Sequence, residues 1–309
     1  MSRMNSEPAV ELERVVKRFA SQPAVDGVDL SVPRGSIFGF IGPNGSGKTT
    51  TMRLILRIYQ PDEGRVIVLG NEIGKTADDR VGYLPEERGL YRRMTVRSLL
   101  RYFAQLKGIR KPNALIDKHL ARMGAQDWNR KKIDQLSKGM AQKIQFIVAM
   151  IASPELIILD EPFAGLDPVN LDLMRDVVLE LRENGSTVIF STHDMEVAQR
   201  LCDRVFMIYQ GKKVLDGTID SIRESHGTNR LRVRMADGTE IPNHLPGVAD
   251  CSTNESFSEL QLVSNAARRD VLQALASQGD VEHFETVRPS LHDIFVRIAK
   301  PLSEEAADA

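Results

Sequence analysis

Ile37-Phe38-Gly39-Phe40-Ile41-Gly42-Pro43-Asn44-Gly45-Ser46-Gly47-Lys48-Thr49-Thr50 is the stretch that decides the fold. Its first five residues are a continuous apolar run, the pattern of a fully buried strand. A glycine-rich turn follows at once, then a stretch of helical period that closes before Pro61. The turn fits the spacing G-x-x-x-x-G-K-[ST]. Glycine lets Gly42-Pro43-Asn44-Gly45-Ser46-Gly47 wrap so tightly that backbone N–H groups converge on one phosphate. The helix behind it presents its positive end to the same oxygens. Lys48 is spaced to reach the β- and γ-phosphates, the Thr49 hydroxyl to ligate Mg²⁺, and Thr50 to stand in the first turn beside them. This strand, loop and helix predict a phosphate-binding loop.

Outward from the loop, short β-rich runs alternate with helical periods from Val10 to about Gly217. Val28, Leu30 and Val32 alternate as a half-buried strand does, ahead of a Pro33-Arg34-Gly35 turn, and residues 65–69 read as another strand. Thr95 is placed to cap a helix whose Val96, Leu99, Leu100, Phe103 and Leu106 share a face, closed by Gly108. Leu115, Ile116, Leu120 and Met123 repeat the pattern up to Gly124. Residues 156–159, 188–190 and 205–209 are buried-strand candidates separated by helices, which predicts a parallel α/β sheet. Gln210-Gly211 and Val214-Leu215 predict a hairpin at its edge.

The strand Leu156-Ile157-Ile158-Leu159 runs straight into Asp160-Glu161. In a parallel sheet that end is the ligand edge. Beside a phosphate loop, Asp160 is suited to complete a Mg²⁺ shell and Glu161 to orient or deprotonate an attacking water. His193 follows the 188–190 strand in Ser191-Thr192-His193-Asp194, where Asp194 is also placed to cap the next helix.

Composition sets outer limits. The 309 residues suffice for about two domains at ~150 residues each. With 41 Lys+Arg against 42 Asp+Glu the net charge is −1, so no basic field draws the chain to nucleic acid. The apolar run around residues 147–152 is far short of the ~20 residues of a membrane span. The first 30 residues lack the apolar core of a secretory signal, and Cys202 and Cys251 stand alone, outside any zinc or disulfide spacing.

Beyond residue 220 the pattern weakens. Polar residues 220–228, including His226 and Gly227, predict a break. Leu231/Val233/Met235 and Leu260/Leu262 then alternate, residues 266–276 suit a helix, and residues 289–298 suit a last helix opened by Pro289 and Ser290. The expected organisation is one domain over residues 8–221, a small α+β accessory domain over 222–300, and a disordered acidic tail over 301–309.

Leu136-Ser137-Lys138-Gly139-Met140 at a helix start resembles the LSGGQ signature of ATP-binding cassette (ABC) ATPases. Ala164-Gly165-Leu166-Asp167 is similar to that family's D-loop, and His193 to its switch histidine. The order phosphate loop, signature, Asp-Glu strand, D-loop and His is the family's order and spans roughly residues 8–220. The resemblance implies a P-loop ABC fold: a parallel-sheet core, an antiparallel β subdomain and a helical subdomain. It implies ATP and Mg²⁺ as cofactors and a head-to-tail homodimer, with Ser137, Gly139 and Asp167 serving the nucleotide at the partner's loop. It also implies that Phe19, in Val15-Val16-Lys17-Arg18-Phe19, stacks on adenine, where the residues alone suit a core Phe equally well.

Two departures stand out. Lys138 and Met140 replace Gly and Gln of the signature. Gly82-Tyr83-Leu84-Pro85-Glu86 is similar to the Q-loop, with Glu86 for Gln as an oxygen ligand toward Mg²⁺. Together with residues 82–91, 136–145 and the closing Pro289-Ser290-Leu291-His292-Asp293-Ile294-Phe295, the chain resembles exporter ATPases serving separate type-2 permeases, such as sodium-extrusion and drug-resistance systems. The expectation is an ATPase subunit at the cytoplasmic face of the membrane, driving a separate permease. The competing reading is a soluble ABC ATPase of iron–sulfur assembly, DNA or ribosomes. A single cassette, 112 positions from Lys48 to Asp160, no zinc-type Cys cluster and no basic charge weigh against the last two.

Overall fold

The computed structural model describes residues 7–20, 22–72, 79–87, 89–226, 230–236, 241, 245–253, 257–264, 267–287 and 289–305. The chain divides into two compact units, Met1–Thr218 and Ile219–Ala309.

The first unit opens with two long strands, β1 (Val10–Phe19) and β2 (Gln22–Val32), then β3 (Ile37–Ile41), helix α1 (Lys48–Ile55), β4 (Glu63–Val68) and β5 (Asn71–Glu72). β6 (Val81–Leu84) precedes helices α2 (Val96–Leu106), α3 (Asn113–Arg122) and α4 (Lys138–Met150). β7 (Leu156–Leu159), α5 (Pro168–Glu183), β8 (Thr187–Thr192), α6 (Met195–Leu201), β9 (Arg204–Tyr209) and β10 (Lys212–Gly217) complete it. Six strands form one sheet in the order β10-β9-β3-β8-β7-β6. The five from β9 to β6 are parallel, and β10 returns antiparallel on β9 as the expected edge hairpin. β2, β1, β4 and β5 make a separate antiparallel sheet.

Alternation along β3 divides the core. Ile37 joins Ile157, Leu159, Val188 and Phe190 in a layer packed with α2–α5, including Leu99, Leu100, Ile144, Ile147 and Met174. Phe38 and Phe40 turn the other way, onto Val10, Leu12, Val28 and Leu30 of the antiparallel sheet and Met52 and Leu54 of α1. A strand covered on both faces must be apolar throughout, and every residue of β3 is buried. This layering aligns the carboxyl ends of β3, β6, β7 and β8 along one edge, where the phosphate loop, Glu86, Asp160 and His193 follow.

Several expectations need correction. Leu106 is 60% exposed: it lies at the margin of the α2 stripe, on the last turn. α1, by contrast, ends at Ile55, before Pro61 as expected, and Arg57 follows at φ +63. β1 and β6 are further strands, one disguised by alternating charge and a left-handed Arg14, the other only four residues long.

The second unit contains α7 (Ile219–Ser225), β11 (Arg230–Met235), β12 (Val248–Thr253), β13 (Ser258–Leu262), α8 (Arg268–Ala276), β14 (Val281–Val287) and α9 (Leu291–Glu305). The strands pair antiparallel in the order β12-β13-β11-β14. Leu231, Val233, Leu260 and Leu262 pack with Val271 and Leu275 of α8 in a core of their own. The expected break at 220–226 is helical: α7 buries a single apolar residue, Ile222, too little to generate a period. α9 continues through residue 305, past its expected end and into the expected tail. Gly227, Thr228, Ala266 and residues 306–309 lie outside the described residues.

Candidate functional site

A cleft of about 280 Å³ opens at the carboxyl edge of the parallel sheet. It is lined by Ala24, Asn44, Gly45, Ser46, Gly47, Lys48, Thr49, Thr50, Glu86, Asp160 and Glu161. The loop needs glycine at its two ends. Gly42 has φ +150, and a Cβ there would stand 2.3 Å from the Ile208 carbonyl. Gly47 has φ +111, and its Cβ would stand 2.5 Å from the Ala24 carbonyl. Any side chain would push the turn off its supports.

Lys48 is 6% exposed, and its Nζ donates to the carbonyls of Gly42 (2.8 Å) and Pro43 (3.0 Å). Burial lowers its pKa, against the fields of Glu161, Asp160 and Glu86, which act to raise it. The ammonium is thus held inside the loop by backbone oxygens and faced by three carboxylates.

Asp160 is 1% exposed at the end of β7. Its Oδ1 accepts a hydrogen bond from Ser191 Oγ at 2.6 Å and lies 3.4 Å from Thr49 Oγ1. Among the described residues its Oδ2 is buried without a hydrogen-bond partner, as is Ser46 Oγ in the loop. Buried polar atoms are rarely left orphaned. An orphaned oxygen on the carboxylate whose other oxygen meets the Thr49 hydroxyl fits a hard divalent cation, and an orphaned hydroxyl in the loop fits a phosphate oxygen.

Glu161 adopts φ +49, a strained conformation for a residue with a side chain. Ser191 Oγ accepts its backbone N–H at 2.8 Å, so one hydroxyl clamps both members of the carboxylate pair. The Glu161 side chain, 10% exposed, places Oε1 3.0 Å from His193 Nδ1. Asp194 caps α6 through Glu196 N and Val197 N, which fixes the turn that carries His193. Sequence reading missed Ser191. Its signal was modest: a hydroxyl two positions before His193, at the end of a strand adjoining β7.

The remaining candidates lie outside the cleft lining. Ser137 caps α4 by accepting from Met140 N, and Gly139 stands in the first turn. Asp167 caps α5, and hydrogen bonds from Asn170 hold its pKa low. Phe19 is 45% exposed, edge-on to Tyr59 with ring centroids 5.3 Å apart and the Lys17 ammonium 5.8 Å from its own. The reading of Phe19 as a core residue is therefore wrong.

Comparison with known proteins bears on the same residues. The ABC transporter family profile matches residues 25–164, and the profile of the ATP-binding protein DrrA1-3-like C-terminal domain matches residues 217–299. An uncharacterized ABC transporter ATP-binding protein of Bacillus subtilis, YhaQ, is 39% identical over 287 residues, covering 92% of this chain and 96% of its own. The chain belongs to the ABC transporter ATP-binding proteins. As a member of that family the cassette is an ATPase that powers transport. The daunorubicin resistance ATP-binding protein DrrA3 of Streptomyces coeruleorubidus is 31% identical over 304 residues, 95% of this chain and 96% of that protein. The solved ATP-binding subunit of an ABC transporter superposes on the cassette with a TM-score of 0.66 at 28% identity, over 70% of this chain and 92% of that one. The P-loop ABC fold is thus shared, and no helix among the described residues is long and apolar enough to cross a membrane. ATP-binding subunits of this family pair with one another and work with separate permeases.

Proposed function

We propose that the cassette is the ATPase of an exporter with a separate permease of the type-2 class, acting as a homodimer at the cytoplasmic face of the membrane. The DrrA-like C-terminal profile and the resistance proteins that align along nearly the whole chain support the exporter branch. The observation that carries the ATPase reading is the cleft itself. A buried lysine, a clamped Asp-Glu pair and two residues with orphaned polar atoms line it together.

In this reading Lys48 and the N–H groups from Asn44 to Thr50 bind and orient the phosphates. Thr49 and Asp160, with Glu86 at the cleft, would hold Mg²⁺, which when bound neutralises phosphate charge. Glu161 takes the proton of the water that attacks the γ-phosphorus, and the bond to the β-phosphate oxygen breaks. His193 keeps the Glu161 carboxylate in place. Phe19, exposed on β1, stacks on adenine. Ser137, Gly139 and Asp167, outside the cleft lining, serve the partner's nucleotide. A helix N-terminus such as that of α4 is ready to receive a phosphate from outside its own chain. Residues 8–221 then form the motor domain and 222–300 an accessory domain.

The test is purification of tagged Glu161→Gln protein from detergent-solubilised membranes with ATP and Mg²⁺. A polytopic membrane protein eluting in stoichiometric amount is the expected result. Soluble partners alone would overturn the transport role.

A further inference from the structure

Gln145 lies in the middle of α4, between Ile144 and Phe146, and is 5% exposed. An amide in that layer is costly unless its donors are used. Both are used on one loop: Nε2 lies 3.2 Å from the Pro85 carbonyl and 3.1 Å from the Glu87 carbonyl. Those carbonyls straddle Glu86, which lines the phosphate cleft. The loop leaves β6, which is the edge strand of the sheet among the described residues. One turn earlier on the same helix, Gln142 Nε2 donates to the Pro162 carbonyl at 2.7 Å, next to Glu161. The two amides thus grip two segments, each at carbonyls of residues next to a cleft carboxylate.

We propose that Gln145 is a positioning residue that pins the Glu86 loop to α4, so that Glu86 takes its place in the cleft only as the helix headed by Ser137 takes its own. The inference rests on the reading of Glu86 as an oxygen ligand toward Mg²⁺. It adds a coupling: the start of α4 serves one nucleotide while its middle holds a carboxylate of the other. Gln142 supplies the internal comparison, because it grips the Glu161 segment and leaves the Glu86 loop alone.

The test uses the purified full chain and the fluorescent analogue mant-ATP, titrated with Mg²⁺. Gln145→Met keeps length and apolar packing and removes both donors. Affinity for mant-ATP without Mg²⁺ should be unchanged, while the Mg²⁺ concentration at half-saturation rises about five- to tenfold, the loss expected for a broken hydrogen-bonded grip. Gln142→Met should leave that midpoint where it is. Glu86→Ala should raise it, and Glu86→Ala/Gln145→Met should raise it no further, because Gln145 acts through Glu86. An unmoved midpoint in Gln145→Met beside a raised one in Glu86→Ala overturns the inference and leaves the Glu86 reading intact. Additive shifts in the double variant overturn it as well. Unmoved midpoints in both single variants remove the Glu86 reading and the inference with it. Thermal melts confirm folding, and Gln145→Leu replaces Gln145→Met should the latter fail to fold.

Discussion

Glu161 Oε1 and His193 Nδ1 meet at 3.0 Å, although the two residues follow different strands, β7 and β8. The histidine side chain is 59% exposed and the glutamate side chain 10%, so the contact joins a solvent-facing ring to an enclosed carboxylate. Glu161→Gln keeps the shape of that contact and removes the proton acceptor. Steady-state hydrolysis should fall by about 10²- to 10⁴-fold, the range for loss of a general base. ATP binding should persist, and light scattering should show an ATP-dependent dimer that no longer dissociates. Turnover equal to wild type would exclude Glu161 as the base.

Ser191 is fully buried and joins Asp160 Oδ1 to the Glu161 backbone. Ser191→Ala leaves a part-buried N–H without its acceptor at a residue already strained at φ +49, which should cost about 1–3 kcal/mol of stability. The larger effect should be on kcat, because the strained peptide is free to relax and carry the Glu161 carboxylate away. Ser191→Thr, which keeps the hydroxyl, should restore most of the turnover. The two variants are compared by chemical denaturation and by kcat and KM for ATP. A stability loss with kcat intact would reduce Ser191 to a packing role.

Glu86 and Lys48 both line the cleft, yet their replacement should differ sharply in effect. Glu86→Gln exchanges a charged oxygen for a neutral one at the same reach, and charge-assisted contacts are roughly twice as strong as neutral ones, so activity should stay within about tenfold of wild type. Lys48→Ala removes the ammonium that the loop carbonyls hold, and hydrolysis should vanish. Parallel ATPase assays decide the point: total loss in Glu86→Gln would make the carboxylate indispensable.

Legibility in the sequence followed burial. β3 and β7 were visible because strands covered on both faces admit only apolar residues, and the loop and Asp160-Glu161 sit directly behind them. Thr95 was legible as a cap because the cap is local: its hydroxyl accepts from Ser98 N, three residues on. β12, with Asp250, Cys251 and Ser252 among its six residues, and β14, half-buried at a sheet edge, carry no such pattern. Ser191 and Gln145 were hidden for another reason. Each acts on groups about 30 to 60 positions away in the chain, and no local period records a hydrogen bond of that length.

His119 provides a test through pH. It lies on α3 beside the buried Leu120, and its Nε2 is buried with no hydrogen-bond partner among the described residues. Burial, with a smaller contribution from Lys118, holds its pKa below the usual 6.5. The sign follows from proton counting. Below about pH 6.5 the unfolded chain takes up a proton at this site that the folded chain resists, so stability falls as the pH drops through that range. Above it the ring is neutral in both states and contributes no slope. His119→Phe removes the titration and keeps an apolar ring on the helix. Between pH 7.5 and pH 5.5 the thermal midpoint of the wild-type chain should fall further than that of His119→Phe, by up to a few degrees for a domain of this size. Equal falls in the two proteins would mean that His119 finds a proton acceptor in solution and that its burial carries no penalty.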